Sequence, residues 1–150
     1  MLSMLLMMCL ATFSFAQKAV KNDAAKTNAE IIHLTKETFL KNVWDYEKNP
    51  QEWKYKGKKP CIIDFYAHWC GPCRLFAKTL QSVADEQKDN IICYKINIDE
   101  QKELARIFGT SSIPSILFVP MEGKPQMAKG NIPKSQVDQI VKDFLMAKPK

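Results

Sequence analysis

The stretch CIIDFYAHWCGPC, residues 61–73, decides how this 150-residue chain is interpreted. An apolar, β-branched run leads into two cysteines separated by two residues, and apolar side chains then recur at helical spacing. This order predicts a buried strand followed by a helix, with Cys70 and Cys73 at the helix start. Because helix N–H groups and the helix dipole stabilise a thiolate there, the stretch indicates redox chemistry.

The composition limits the class of protein. With 46% hydrophobic and 25% charged residues, 150 residues are enough for one globular domain. The net charge is +6, yet the lysines are spread out and cluster only at residues 54–59. No aromatic-basic binding motif accompanies that cluster, so we expect a solvated loop and no nucleic-acid partner.

Residues 1–16 predict a cleaved signal peptide, because they carry no charged side chain and end in Ser-Phe-Ala, which resembles a small-x-Ala cleavage site. The apolar run is shorter than the roughly 20 residues that span a bilayer. Residues 17–29 hold almost no large apolar side chain and predict a flexible tether. We therefore expect an exported, periplasmic protein whose domain is residues 30–147. Membrane tethering through an uncleaved N-terminus, or one lipidated at Cys9, is the alternative.

Hydrophobic periodicity after residue 29 predicts alternating strands and helices. Strands are expected at residues 30–34, 61–66, 91–98 and 115–119, with a hairpin strand at 126–129. A first helix is expected to start within residues 35–38 and to end or bend at Asn49-Pro50. Further helices are expected from the cysteine motif to about Lys88, around Leu104 to Gly109, and from Lys134 to Met146. This order implies an α/β fold, with a mixed central β-sheet flanked on both faces by helices.

The remaining cysteines and one histidine have structural interpretations. Cys61 and Cys93 lie in apolar runs and are expected to be small buried hydrophobes, with a Cys61–Cys93 disulfide as the alternative. His33 stands beside apolar strand residues and is expected to be partly buried and not a ligand. Cys70 and Cys73 offer two metal ligands without a second pair at zinc spacing, so no metal site is expected.

Residues 30–145 resemble the thioredoxin family, specifically an exported thioredoxin-like protein with a WCGPC active site. The resemblance is carried by DFYAHWCGPCR at 64–74, KINID at 95–99, Ile113-Pro114 with Ser115, and Gly123 and Gly130. Arg74 stands where the family usually has lysine. Four ordered matches at family spacing imply a thioredoxin fold and a redox-active Cys70–Cys73 disulfide, with no other cofactor.

The residues of the motif have separable expected roles. Cys70, the more N-terminal thiol, is expected to be exposed and to act as the nucleophile, and Cys73 is placed to resolve the mixed disulfide. Pro72 suits the first helical turn, and Gly71 leaves room for a substrate chain. Trp69 offers an apolar face beside the thiol, with a core tryptophan as the alternative.

Asp64 is unusual because a carboxylate inside an apolar strand costs free energy unless it is paired, hydrogen-bonded or protonated. The resemblance implies that Asp64 lies beneath the sulfurs and acts as general acid/base for Cys73. It also implies that Lys95 is the charge partner of Asp64. The alternative is a structural ion pair without a catalytic role.

The resemblance also implies a docking surface for substrate. It places a cis bond between Ile113 and Pro114, with the Ile113 backbone pairing with an extended substrate segment, and it adds Gly130 to the same patch. Ser111 and Ser112 stand where the family has an arginine, so a preference for charged substrates is not implied.

Two further departures leave alternatives open. His68 either raises the acidity of the thiol or is an exposed bystander. Residues 45–59 form a longer segment than in a minimal thioredoxin, and they contain Trp53 and Tyr55 close to Trp44. This segment is expected to pack through its aromatic rings, with an added partner surface as the alternative.

The expected function is disulfide reduction in exported proteins by a monomer that receives electrons from a membrane donor protein. A dithiol oxidase or isomerase would use the same residues, because the direction of exchange depends on reduction potential. A non-catalytic binding module is the third hypothesis, and the intact pair Cys70 and Cys73 argues against it.

Overall fold

Five strands form one sheet in the computed structural model, which describes residues 28–147. The strands are β1 (Ile32–His33), β2 (Cys61–Tyr66), β3 (Ile92–Asn97), β4 (Ser115–Val119) and β5 (Gln126–Lys129). Their order is β1-β3-β2-β4-β5. Strands β1, β3 and β2 are parallel, β4 pairs antiparallel with β2, and β5 pairs antiparallel with β4. The expected mixed sheet is confirmed, although β1 is shorter than the predicted 30–34.

Helices cover both faces of this sheet. They are α1 (Lys36–Asn42), α2 (Gly71–Gln87), α3 (Lys102–Ile107) and α4 (Lys134–Ile140), which continues as a π-helical segment (Val141–Leu145). Strand β2 sends alternate side chains to opposite faces. Ile62 packs with α2 and α4 on one face, whereas Ile63 packs with α1 and α3 on the other.

Helix α2 is held against the sheet by an apolar stripe. Phe76, Leu80 and Val83 recur at helical spacing and are buried in the core. Burying each such side chain stabilises the fold by about 1.5–3 kcal/mol relative to exposure. The packing fixes the start of α2 at the edge of the sheet where β2 ends.

The segment between α1 and β2 corrects one prediction. Helix α1 ends at Asn42 and does not continue to Asn49-Pro50. The carbonyl of Val43 accepts the N–H of Lys56 (2.9 Å), which draws the chain back against α1. The ring of Trp44 packs against that of Trp53, with centroids 5.0 Å apart. The apolar spacing that resembled a longer helix therefore serves an aromatic cluster, and the expected packing of this segment is confirmed.

Two smaller expectations are settled by the sheet register. Cys93 is opposite Ile62, and Cys61 is opposite Ile92, so the two cysteines face opposite sides of the sheet. Both are free and buried, which confirms their interpretation as hydrophobes and rules out a disulfide between them. His33 is exposed and not partly buried, because β1 is the edge strand of the sheet.

The beginning of the described chain is tied to α2. The N–H of Ala29 donates to Asp85 Oδ1 (2.7 Å), and its carbonyl accepts from Gln81 Nε2 (2.8 Å). The predicted signal peptide, and all but the last two residues of the predicted tether, lie outside the described residues. Across residues 28–147, no helix combines the length and apolar character needed to cross a membrane.

Candidate active site

The two motif cysteines form a disulfide at the N-terminus of α2 (S–S 2.05 Å). Cys70 caps the helix, and its Sγ accepts the backbone N–H of Cys73 (3.2 Å). Pro72 occupies the first turn, where its missing N–H leaves no hydrogen bond unmade. A Cβ built on Gly71 would meet only Arg74 Nη2 within 4 Å, at 3.9 Å, so the surface beside the disulfide is open.

Both sulfur-bearing residues are almost fully buried, with Cys70 4% exposed and Cys73 3% exposed. The expectation that Cys70 is exposed is therefore wrong for the disulfide form. Tyr66, Ile98 and Ile113 pack against the two cysteines and shield them. These side chains cover part of the disulfide, and the side next to Gly71 stays open.

Trp69 lies on the surface with 67% of its area exposed, so the alternative of a core tryptophan is wrong. Its indole Nε1–H donates to Asp99 Oδ2 (2.9 Å), and the N–H of Asp99 donates to Asn97 Oδ1 (3.0 Å). Sequence reasoning did not assign Asp99 a role. The available signal was a carboxylate just beyond the carboxyl end of β3, which neighbours β2 in parallel.

The loop before β4 approaches the disulfide from the other side. The Ile113–Pro114 bond is cis, as predicted. The carbonyl of Pro114 accepts the N–H of Gly130 (2.8 Å), where the backbone has φ +86° and favours glycine. Ser115 Oγ donates to the carbonyl of Ser112 (2.6 Å) and holds the loop closed. The predicted docking residues thus lie together.

Asp64 is buried on the face of the sheet that α2 covers. It is 2% exposed, and its Oδ1 has no hydrogen-bond partner among the described residues. Burial raises the pKa of Asp64 to about 7, and the positive charge of Lys95 opposes that rise. A pocket of about 180 Å³ is lined by Asp64, Cys73 and Lys95, among others. The structure thereby brings the predicted acid/base, its charge partner and the resolving cysteine to one place.

Lys95 influences Asp64 without contacting it. The two residues are register partners on the parallel strands β3 and β2, so their side chains share a face. The ion pairs found among residues 28–147 do not include Lys95. Its Nζ lies over the ring of Tyr66, 5.7 Å from the centroid. The structure therefore does not contain the alternative, a structural ion pair between Asp64 and Lys95.

Comparison with known proteins decides the family. The family model described as Thioredoxin matches residues 30–143, which is most of the chain. The chain belongs to the thioredoxin family. Its expected thioredoxin fold is confirmed, and together with the Cys70–Cys73 disulfide the membership makes this thioredoxin a thiol-disulfide oxidoreductase.

Individual relatives agree with this family assignment. A thioredoxin of Borreliella burgdorferi is 39% identical over 113 residues, covering 75% of this chain and 96% of the relative. A chloroplastic M-type thioredoxin of Chlamydomonas reinhardtii is 38% identical over 86 residues, covering 57% and 61%. The crystal structure of chloroplastic thioredoxin z aligns with a TM-score of 0.61 at 25% identity, covering 75% of this chain and 92% of that one.

Two side chains of this thioredoxin lie at the mouth of the pocket. Arg74 donates from Nη1 to the carbonyl of His68 (3.4 Å), and the His68 ring lies edge-on to Tyr66, with centroids 5.5 Å apart. Both side chains are exposed and line the pocket with Asp64.

In the described part of the chain, no three histidine, cysteine, aspartate or glutamate side chains are arranged to hold a metal ion.

Proposed function

We propose that this thioredoxin reduces disulfides in exported proteins by dithiol-disulfide exchange. The observation that carries the proposal is the hydrogen bond from the Cys73 N–H to Cys70 Sγ at the start of α2. In the reduced protein the same donor and the helix dipole favour a thiolate on Cys70. Cys70 is accordingly the attacking nucleophile.

The exchange proceeds in two steps. The Cys70 thiolate attacks one sulfur of the substrate disulfide, and the other substrate sulfur leaves as a thiolate that takes up a proton. Cys73 then gives its proton to Asp64 and attacks Cys70 Sγ, which releases the second substrate sulfur as a thiolate that takes a proton from solvent. Two electrons pass to the substrate, and the Cys70–Cys73 disulfide re-forms.

Asp64 acts as the general acid/base in this scheme, and Lys95 tunes it electrostatically. The raised pKa of Asp64, about 7, supports this role because a group that accepts and returns a proton works best near the ambient pH. Lys95 lowers the Asp64 pKa through its charge. No other cofactor enters the scheme.

The substrate is received between Trp69 and the loop of Ile113 and Pro114. The Ile113 backbone pairs with an extended substrate segment, and Gly130 leaves space beside it. The exposed indole of Trp69 contributes apolar contact. Because Ser111 and Ser112 are uncharged, this surface favours no charged substrate.

Export follows from the uncharged, apolar residues 1–16 and their small-x-Ala ending. In the periplasm a reductase has no access to cytosolic reductant, so a membrane protein supplies its electrons. Its substrates are disulfide-containing exported proteins, and it works as a monomer without nucleic acid. Cell fractionation combined with N-terminal sequencing of the mature protein tests the location.

The reduction potential of the purified protein tests the direction of exchange. The protein is equilibrated in graded glutathione buffers, and its thiols are trapped and counted. A potential near about −270 mV supports the reductase, whereas one near about −120 to −180 mV reassigns it as an oxidase or isomerase. A pair that does not cycle would leave only a binding module.

Trapping identifies the substrates. Cys73→Ser stalls the exchange as a mixed disulfide on Cys70, and the trapped proteins are identified from the periplasmic fraction. The matched control is the double variant Cys70→Ser, Cys73→Ser, which has the same surface and no attacking sulfur. Recovery of the same proteins with both variants would refute turnover through Cys70.

A further inference from the structure

Asp64 needs a route for its proton. At 2% exposure its carboxyl does not meet bulk solvent directly, and its Oδ1 has no hydrogen-bond partner in the described part of the protein. The pocket that Asp64 shares with Cys73 measures about 180 Å³. Since a cavity needs only about 10–15 Å³ of such space to hold one water molecule, the pocket has room for a short chain of waters.

Four other titratable side chains line this pocket: Tyr66, His68, Arg74 and Lys95. An arginine keeps its proton at any ordinary pH. Burial raises the pKa of Tyr66, so its hydroxyl also keeps its proton. The positive charge of Lys95 lowers the pKa of Asp64, and a lysine ordinarily keeps its proton at neutral pH. Histidine is the residue type that exchanges protons near neutral pH, and His68 is exposed to solvent at the pocket mouth.

We propose that His68 relays protons between Asp64 and bulk solvent through this pocket during dithiol-disulfide exchange. The inference rests on the proposed acid/base role of Asp64. It gives a function to a residue that the exchange scheme itself does not use.

Reduction of the disulfide by a small dithiol shows where each proton goes. One thiolate of the dithiol attacks Cys70 Sγ, the bond to Cys73 breaks, and Cys73 leaves as a thiolate that takes the proton of Asp64. His68 returns a proton to the Asp64 carboxylate and is reprotonated from solvent. The second dithiol sulfur then loses its proton to solvent and attacks the first dithiol sulfur, which releases Cys70 as a thiolate and transfers two electrons to the protein.

Other charged groups surround His68. Arg74 holds its backbone carbonyl, and the Tyr66 ring lies against its imidazole. His33 lies against the same ring at 6.2 Å and interacts electrostatically with His68, Lys95 and Glu100. Because His33 is not among the residues that line the pocket, it provides the matched control for a general effect of imidazole charge.

The test compares His68→Gln with His33→Gln in the purified protein. Reduction of the disulfide by dithiothreitol is stopped with acid and followed by thiol labelling between pH 5.5 and 8.5. We expect His68→Gln to slow reduction by at least about tenfold. This effect is smaller than the roughly 10²–10⁴-fold contribution typical of a direct acid or base. Added imidazole should restore the rate, whereas His33→Gln should match the wild type.

A double variant tests the route through Asp64. In an Asp64→Asn background the His68→Gln change should have no further effect, because the group it serves is absent. The relay would be overturned if His68→Gln left the rate and the pH profile unchanged, or if added imidazole did not restore the lost rate. It would also be overturned if His68→Gln slowed reduction to the full extent in the Asp64→Asn background. Reduction by dithiothreitol needs no protein substrate. If the wild-type disulfide is reduced and re-formed but the protein reduces no exported protein, the proposed function is refuted and the relay is not.

Discussion

The two pairs of cysteines in the domain are buried to the same degree and yet differ in chemistry. Cys61 and Cys93 are 0% and 3% exposed, and Cys70 and Cys73 are 4% and 3% exposed. Exposure therefore does not separate the redox pair from the structural pair. Position in the fold separates the two pairs.

Cys61 and Cys93 lie inside strands on opposite faces of the sheet, where burial raises the pKa of each thiol to about 12. Cys70 and Cys73 lie where β2 gives way to α2, and Cys70 Sγ accepts a backbone N–H at the helix start. One environment penalises a thiolate, and the other stabilises it. A cysteine becomes reactive through a donor and a dipole aimed at its sulfur.

The largest expected effect is the loss of turnover when either redox cysteine is changed. Cys70→Ser and Cys73→Ser should each abolish catalytic reduction of insulin by dithiothreitol, because a hydroxyl does not replace the thiolate. Cys61→Ala and Cys93→Ala should keep wild-type rates. Sustained turnover in Cys70→Ser would remove the distinction between the pairs.

Alkylation sharpens the same comparison within one molecule. In the reduced protein at pH 7, iodoacetamide should modify Cys70 at least about 1,000-fold faster than Cys61 or Cys93. Raising a thiol pKa from 9 to about 12 removes about three orders of magnitude of thiolate. Mass spectrometry after timed quenching gives the rates, and urea-unfolded protein is the control in which all sites should react alike.

Asp64→Asn should stabilise the protein by about 2–4 kcal/mol above pH 7. The Asp64 pKa rises from 3.8 to about 7 on folding, and one pKa unit corresponds to 1.36 kcal/mol. The native state then holds a proton that the unfolded state releases, so wild-type stability falls as the pH rises from about 4 to 7. Urea unfolding at pH 3.5 and pH 8 checks this: the gain should nearly vanish at the lower pH.

The structural cysteines should matter for stability alone. Cys61→Ala and Cys93→Ala should each lower the free energy of unfolding by about 1–2 kcal/mol, because each leaves a small cavity in a packed core. The reduction potential should not change. A shift in potential with either variant would mean that the two pairs communicate.

The smallest expected effect concerns the support of Trp69. Asp99→Ala removes the acceptor of the indole N–H and should raise the KM for a protein disulfide about two- to tenfold, since a typical hydrogen bond contributes about 0.5–1.5 kcal/mol. The exchange rate with dithiothreitol should stay the same. Asp89→Ala, at an exposed carboxylate just beyond the far end of α2, is the control and should leave both parameters unchanged.

Much of this architecture was predictable because its signals are local. Strand periodicity locates β2, β3 and β4, and the apolar stripe after Cys73 locates α2 with its buried face. The position of Asp64 in an apolar run was enough to mark it as unusual. Burial, which decides its pKa, follows directly from that run.

The unpredicted features depend on contacts between distant segments. The end of α1 was misplaced because Trp44 fits a helical stripe equally well and packs instead on Trp53. The burial of Cys70 depends on Ile98 and Ile113, which come from two other loops. The hydrogen bond from Trp69 to Asp99 links residues 30 positions apart. No local pattern contains such contacts.

The tie between Ala29 and α2 determines how the domain is presented by anything attached ahead of it. Asp85 lies 12 residues beyond Cys73 on α2, which corresponds to about 18 Å along the helix axis. The preceding chain therefore joins the domain far from the disulfide. A bead, a fusion partner or a lipid anchored through that end would leave the reactive face turned outward and unobstructed.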